Sequence, residues 1–125
     1  MAATFLCLGL GSLAGGFARY FLAGFVHKIF GTTFPYGTLA VNLAGCFIIG
    51  FLSVISEEKF LLGSNGRLLL MTGFCGAFTT FSTFMLETGI LVKDGEIFRA
   101  FWNVALSLIL GFIFFKLGIL FGDIF

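Results

Sequence analysis

The sequence predicts an all-α membrane protein in which four helices cross the bilayer. Of its 125 residues, 59% are hydrophobic and 10% are charged, with a mean hydropathy of +1.14. The apolar residues form long blocks rather than stripes one helix face wide, which is typical of helices surrounded by lipid. A net charge of +1 argues against a nucleic-acid-binding surface. No internal boundary appears, so residues 1–125 are expected to form one domain.

Each of the four predicted helices has close to the roughly 20 apolar residues that cross a bilayer. They are Thr4–Val26, Gly37–Ser56, Arg67–Val92 and Phe98–Phe121. The short polar connections contain turn and helix-end residues such as Pro35, Gly66 and Gly95. Successive helices should therefore run in opposite directions and leave both termini on one side of the membrane.

The first segment has no Lys or Arg ahead of it, which favours a retained membrane helix over a signal peptide. It contains Arg19, interpreted either as an arginine that snorkels to the interface or as a cation that draws anions into a vestibule. Its small residues Gly11 and Gly15 favour close helix contact, as do Ala40 and Ala44 in the second segment. Packing within one chain and packing between two chains both remain open here.

The second segment contains Asn42. A polar side chain inside the membrane is costly and is a functional candidate by default. Its amide forms a hydrogen bond between helices, or it points an NH2 group at a permeating anion.

The third segment is unusual because Gly73 and Gly76 precede a cluster of Thr, Ser and Phe. Glycine weakens a helix and hydroxyl side chains can bond freed backbone, so a break near mid-membrane is expected. Broken helices at that depth commonly mark ion sites. Phe78, Phe81 and Phe84 recur every three residues beside the hydroxyl groups, either as core residues or as ring edges facing an anion.

Three further polar residues lie in the predicted spans. Glu87, late in the third segment, is interpreted as a proton or cation site, or as a hydrogen-bonded acid near the helix end. Asn103 and Ser107 share one face of the fourth segment, where they either line a polar track or form hydrogen bonds between helices. Neither the cysteine spacing nor any other motif matches a metal, nucleophile or phosphate site, so no enzyme is expected.

Lys and Arg divide almost evenly between the two sides of the predicted topology. Lys59, Arg67 and Lys116 fall on the side of the termini, against Arg19, Lys28, Lys93 and Arg99 on the other. So small a bias fixes no orientation. The hypothesis that follows is a chain inserted both ways, with the two orientations paired as an antiparallel dimer.

Three stretches resemble the Fluc (CrcB) family of fluoride channels. They are Gly15–Tyr20, Gly37–Asn42 with the following Gly45 and Gly50, and above all Gly73–Phe84, the most specific of the three. Family members often carry a second glycine where this chain has Ala77.

The resemblance implies a dual-topology antiparallel homodimer in the cell inner membrane, with two fluoride pores and fluoride resistance as its role. It places Asn42, Phe81, Phe84, Ser82 and Thr83 along the fluoride pore, Arg19 in the vestibule, and Thr38, Glu87 and Ser107 on a polar track. It also implies a structural Na⁺ held by the backbone carbonyls of Gly76 and Thr79 from each subunit.

Two alternatives compete with a channel. Small multidrug transporters are also short, four-helical and dual in topology, but they use an acidic residue in the first helix, where this chain has Arg19 and no acid. A non-transporting subunit or assembly factor would leave the Thr, Ser and Phe cluster without a purpose.

Overall fold

The computed structural model describes residues 1–125 and contains helices and connections but no strands. Four helices are long and apolar enough to cross a membrane: Ala2–Phe30, Tyr36–Glu58, Ser64–Lys93 and Ile97–Ile124. We call them the first to fourth helices. The predicted all-helical chain with four membrane-spanning helices is therefore confirmed, and the chain is a multi-pass membrane protein. Each helix extends a few residues beyond the span predicted for it.

The outer surface of the bundle is apolar. Large side chains of the first helix such as Phe5, Leu10 and Phe17 are exposed, as are Leu108 and Phe112 of the fourth. In water such a surface would aggregate, whereas in a bilayer it is the expected lipid contact.

Glycines set the closest helix contacts. The first helix packs on the N-terminal half of the third, and the second packs on the fourth. A Cβ at Gly11 would overlap the carbonyl oxygen of Leu69, and one at Gly15 would overlap that of Phe74. Gly118 approaches the carbonyl of Phe47 in the same way. The Gly11 and Gly15 pair, open to two interpretations in the sequence, thus packs within one chain.

The ends of the second and third helices are irregular. The second helix ends in π-type turns over Val54–Glu58, and the third helix has π-type turns over Leu68–Cys75. The connection between these two helices is hydrogen-bonded to the fourth helix. There the Lys59 ammonium donates to the Asp123 carbonyl at 3.1 Å. A small core of Leu52, Ile55 and Cys75 lies between the second and third helices.

Candidate functional site

The third helix is interrupted by two extended residues. Thr79 has φ −89° and ψ 157°, and Thr80 has φ −150° and ψ 114°. Helix precedes them over Gly76–Phe78 and resumes over Phe81–Lys93. Two consecutive extended residues free several backbone groups, each of which needs a partner away from water.

Threonine hydroxyls satisfy part of this freed backbone. The amide and the hydroxyl of Thr79 both donate to the Cys75 carbonyl, at 3.1 and 2.9 Å. Thr80 acts as the N-cap of the helix that follows, because its Oγ1 accepts from the Thr83 amide at 3.2 Å. The same oxygen donates to Thr83 Oγ1 at 3.0 Å. The local sequence therefore ends one helical segment and starts the next.

Asn42 of the second helix completes the interruption. Its Nδ2 donates to the Thr80 carbonyl at 3.1 Å, and its Oδ1 accepts from the Thr80 amide at 2.9 Å. One amide side chain thus replaces both helical hydrogen bonds of Thr80. A second hydrogen on Nδ2 remains for another acceptor.

Arg19 of the first helix reaches the same region. Its Nε donates to the Ala77 carbonyl at 3.0 Å. This carbonyl lies at the end of a helical segment, where cations are favoured. The side chain is therefore tied to the interruption, and its terminal nitrogens keep four of the five guanidinium donors.

Several carbonyls at the interruption lose their helical partners, among them those of Gly76 and Thr79. The Thr80 amide would bond the Gly76 carbonyl in a continuous helix but bonds Asn42 instead. The Thr83 amide would bond the Thr79 carbonyl but bonds Thr80 Oγ1 instead. A Cβ at Gly76 would meet no atom within 4 Å, so this face is open in the single chain.

The three spaced phenylalanines have different surroundings. Phe78 is buried and stacks on Phe74, with ring centroids 5.4 Å apart. Phe84 is also buried, at 8% exposure, whereas Phe81 is 73% exposed. The rings of Phe81 and Phe84 are 5.8 Å apart and tilted by 50°. Phe78 is therefore a core residue, and Phe81 presents a free aromatic surface beside Phe84.

Two cavities lie on either side of the extended residues. An open groove of about 1260 Å³ runs between the first and second helices and the C-terminal half of the third. Arg19, Thr38, Thr83 and Glu87 line it. A smaller cavity of about 420 Å³ is lined by Asn42, Gly76, Thr79 and Phe81. Thr80 lines both cavities, so the interruption is the wall between them.

The remaining polar residues form a second, looser group. Glu87 Oε1 and Ser107 Oγ are buried and have no hydrogen-bond partner within the chain. Asn103, which is 1% exposed, donates to Thr88 Oγ1 at 2.9 Å, and Thr88 donates to the Phe84 carbonyl at 2.8 Å. Asn103 thus forms a hydrogen bond between helices, one of the two uses expected from its sequence position.

Sequence reasoning missed two residues of this region. Thr80 contacts Asn42, caps a helix and lines both cavities, yet it was not among the predicted site residues. Its signal was a threonine directly before the second helical segment, because threonine is a favoured N-cap residue. Thr88 joins Asn103 to the backbone of Phe84, and no local pattern marks it.

Comparison with known proteins gives a consistent result. The family model described as "CrcB-like protein, Camphor Resistance (CrcB)" matches residues 6–119. A protein of Chlorobium phaeobacteroides (strain BS1) is 55% identical over 96 residues, which cover 77% of this chain and 74% of the relative. One from Prosthecochloris aestuarii is 49% identical over 113 residues, covering 90% and 88%. One from Desulforapulum autotrophicum is 43% identical over 122 residues, or 98% of each chain. All three relatives are named "Fluoride-specific ion channel FluC".

Proposed function

This chain belongs to the CrcB family, and from that premise we propose that it is a fluoride-selective channel in the cell inner membrane, where it exports fluoride passively. The relatives' names support transport rather than enzymatic activity. Within the chain, the strongest support is the interruption at Thr79 and Thr80, where the Asn42 amide, the threonine hydroxyls and the Phe81 ring border the same small cavity. Such export lowers the fluoride concentration inside the cell, which rises when hydrogen fluoride enters and dissociates.

The donors near the interruption suit a small, strongly hydrated anion. An ion without compensation in a dry interior costs on the order of tens of kcal/mol. The Nδ2 group of Asn42, the hydroxyls of Ser82 and Thr83, and the ring edges of Phe81 and Phe84 offer several weak contacts in place of water. We propose that these five residues line the fluoride path. Weak multiple contacts allow the ion to leave as well as to enter.

Arg19 is proposed to raise the anion concentration without trapping the ion. Its guanidinium lines the wide groove, and its Nε is held by the Ala77 carbonyl. A fixed cation in an open, wet groove attracts anions at modest affinity. Thr38, Glu87 and Ser107 are proposed to continue the path as a polar track, since Thr38 and Glu87 line the same groove and Ser107 Oγ lacks a partner within the chain.

We propose that two chains pair as an antiparallel homodimer with two pores. The even division of Lys and Arg favours neither orientation. Gly76 and Phe81 present open surface in the single chain, as expected of residues that a second copy would cover. The interruption would then lie at mid-membrane, where the two chains cross.

We propose that a structural Na⁺ binds at the centre of that dimer, where oxygen ligands are available. The chain has no group of three His, Cys, Asp or Glu side chains that could hold a metal ion, and the proposed ligands are backbone oxygens. The carbonyls of Gly76 and Thr79 have lost their helical partners. Carbonyl oxygens are suitable ligands for a hard cation, and two chains would supply four of them.

The rival readings predict different fluxes. A small multidrug transporter needs an acid in the first helix, and Ala2–Phe30 has none. An assembly factor would conduct no ion.

The test is fluoride efflux from liposomes containing the purified chain, followed with a fluoride electrode and compared with chloride efflux. We expect rapid fluoride efflux and negligible chloride efflux, while equal rates for the two anions would refute selectivity.

Replacing each pore phenylalanine with isoleucine should lower fluoride efflux. Isoleucine keeps apolar bulk but removes the ring edge that faces the anion. Phe81→Ile should leave the fold of the single chain unchanged because Phe81 is 73% exposed there, whereas Phe84→Ile should also destabilise that fold. Phe78→Ile, at the buried ring stacked on Phe74, is the matched control and should affect stability alone. Full efflux in both pore variants would contradict the aromatic role.

Gly76→Ala should impair assembly rather than folding of the chain. The added methyl group meets nothing within 4 Å in one chain, and it also favours the helix. In the proposed dimer it would stand beside the carbonyl ligands and the second copy. We expect a monomer in detergent, measured by light scattering, and little fluoride efflux. A stable Gly76→Ala dimer that still responds to replacement of Na⁺ by a larger cation would place the ion elsewhere.

A further inference from the structure

The connection between the second and third helices contains a strained aromatic residue. Phe60 has φ 53°, while the other two residues with positive φ are Gly31 and Gly95. For a bulky side chain this left-handed conformation is unfavourable, and glycine adopts it freely. A phenylalanine here needs a compensating stabilisation.

Backbone hydrogen bonds impose this conformation. The Lys59 amide donates to the Val54 carbonyl at 3.1 Å, and the Leu61 amide donates to the Ile55 carbonyl at 2.8 Å. The Leu61 amide thus bonds a carbonyl six positions back, one position further than in the helix ending in which glycine usually takes the left-handed conformation. The Lys59 side chain also ties this turn to the end of the fourth helix. The turn is therefore held by hydrogen bonds that do not involve the Phe60 side chain.

The side chain of Phe60 gains little from its own chain. It is 79% exposed, and the adjacent Leu61 is 59% exposed. Phe60 takes no part in the ring–ring contacts that most phenylalanines of this chain form. Contacts within the chain therefore account for the backbone conformation of Phe60 but not for a large aromatic ring exposed at this position.

The bilayer is the partner that the position of this pair favours. Phe60 and Leu61 lie between Glu58 and Ser64, where two membrane-spanning helices end. Apolar side chains at that level can reach the boundary between headgroups and acyl chains. Two acidic neighbours, Glu57 and Glu58, offset the basic Lys59 and Arg67, so attraction to anionic headgroups is not the source of binding.

We propose that Phe60 and Leu61 form an interfacial anchor that inserts into the headgroup–acyl boundary and fixes the depth of this end of the bundle. The anchor depends on apolar burial, and phosphatidylcholine alone is enough to bind it. It is separate from the fluoride path, and its failure would leave the proposed channel function intact.

Tryptophan fluorescence tests the anchor directly. Trp102 is the only tryptophan, so Phe60→Trp is made in a Trp102→Phe background and reconstituted into phosphatidylcholine vesicles. We expect blue-shifted emission, strong quenching by lipids brominated near the carbonyl end of the acyl chain, and weak quenching by aqueous iodide. Adding phosphatidylglycerol should change none of these. Fluoride efflux at the parental rate would show that the variant is folded.

A second reporter keeps the test independent of the strained position. Leu61→Trp in the same background needs no positive φ and should give the same pattern. Strong iodide quenching without bromine quenching at both positions would show that the pair faces water and would overturn the anchor. Shielding from both quenchers would overturn it too, because the pair would then be covered by a second copy of the chain.

Discussion

Gly15→Ala is expected to prevent the chain from folding into a stable bundle. A Cβ at this position would overlap the carbonyl oxygen of Phe74, and it would also crowd the Cα of that residue. The obstacle is backbone, which cannot rotate away as a side chain can. Overpacking a core costs roughly 1–3 kcal/mol when side chains can adjust, so we expect the loss here to be about 3 kcal/mol or more.

Gly9→Ala is the matched control for this prediction. Gly9 lies in the same helix, and a Cβ added there would have no other atom within 4 Å. Because alanine favours a helix over glycine, this variant should be as stable as the parent or slightly more so. Thermal unfolding in detergent and the yield of monodisperse protein measure both variants. Equal stability of the two would mean that the first and third helices do not approach as closely as the structure has them.

Asn42→Leu is expected to abolish fluoride efflux and to destabilise the chain strongly. Leucine would leave the amide and the carbonyl of Thr80 without partners. Each buried polar group left unsatisfied costs about 1–3 kcal/mol. The extended residues should then rearrange, and the wall between the two cavities would change with them.

Asn103→Leu separates this effect from the general loss of a buried amide. Asn103 is also buried, and it donates a hydrogen bond to Thr88 Oγ1. Without Asn103, the Thr88 hydroxyl would still donate to the Phe84 carbonyl. We expect a smaller loss of about 0.5–1.5 kcal/mol and measurable fluoride efflux. Comparable damage in the two variants would remove the special role of Asn42 at the interruption.

The sequence pointed to the third helix, but for an incomplete reason. Gly73 and Gly76 drew attention to this helix, yet Gly76 has helical backbone, with φ −61° and ψ −39°. The two extended residues are threonines. Their conformation is supported by Asn42 and Arg19, which come from other helices. No local propensity reports a partner that lies 38 or 58 residues away in the chain.

Several side chains had two possible roles that only their neighbours could decide. Phe78 and Phe81 have the same spacing and similar flanking residues, but one is in the core and the other is exposed. Gly11 and Gly15 could have joined two chains and instead join two helices of one. Burial and contact depend on how the helices are turned about their axes, and helices that are apolar all round carry little information about that rotation.

The sequence by itself determined the solvent and the class of fold. Long apolar blocks can be stable only in lipid, and lipid requires each backbone group to be bonded within a helix or at a protected site. Tertiary structure decided which backbone groups remain free. Asn42 and Arg19 bond Thr80 and Ala77 across the bundle, and the carbonyls of Gly76 and Thr79 are left without their helical partners. The physical reason is that the distances between helices decide which donor reaches each carbonyl at the interruption. Composition does not encode those distances.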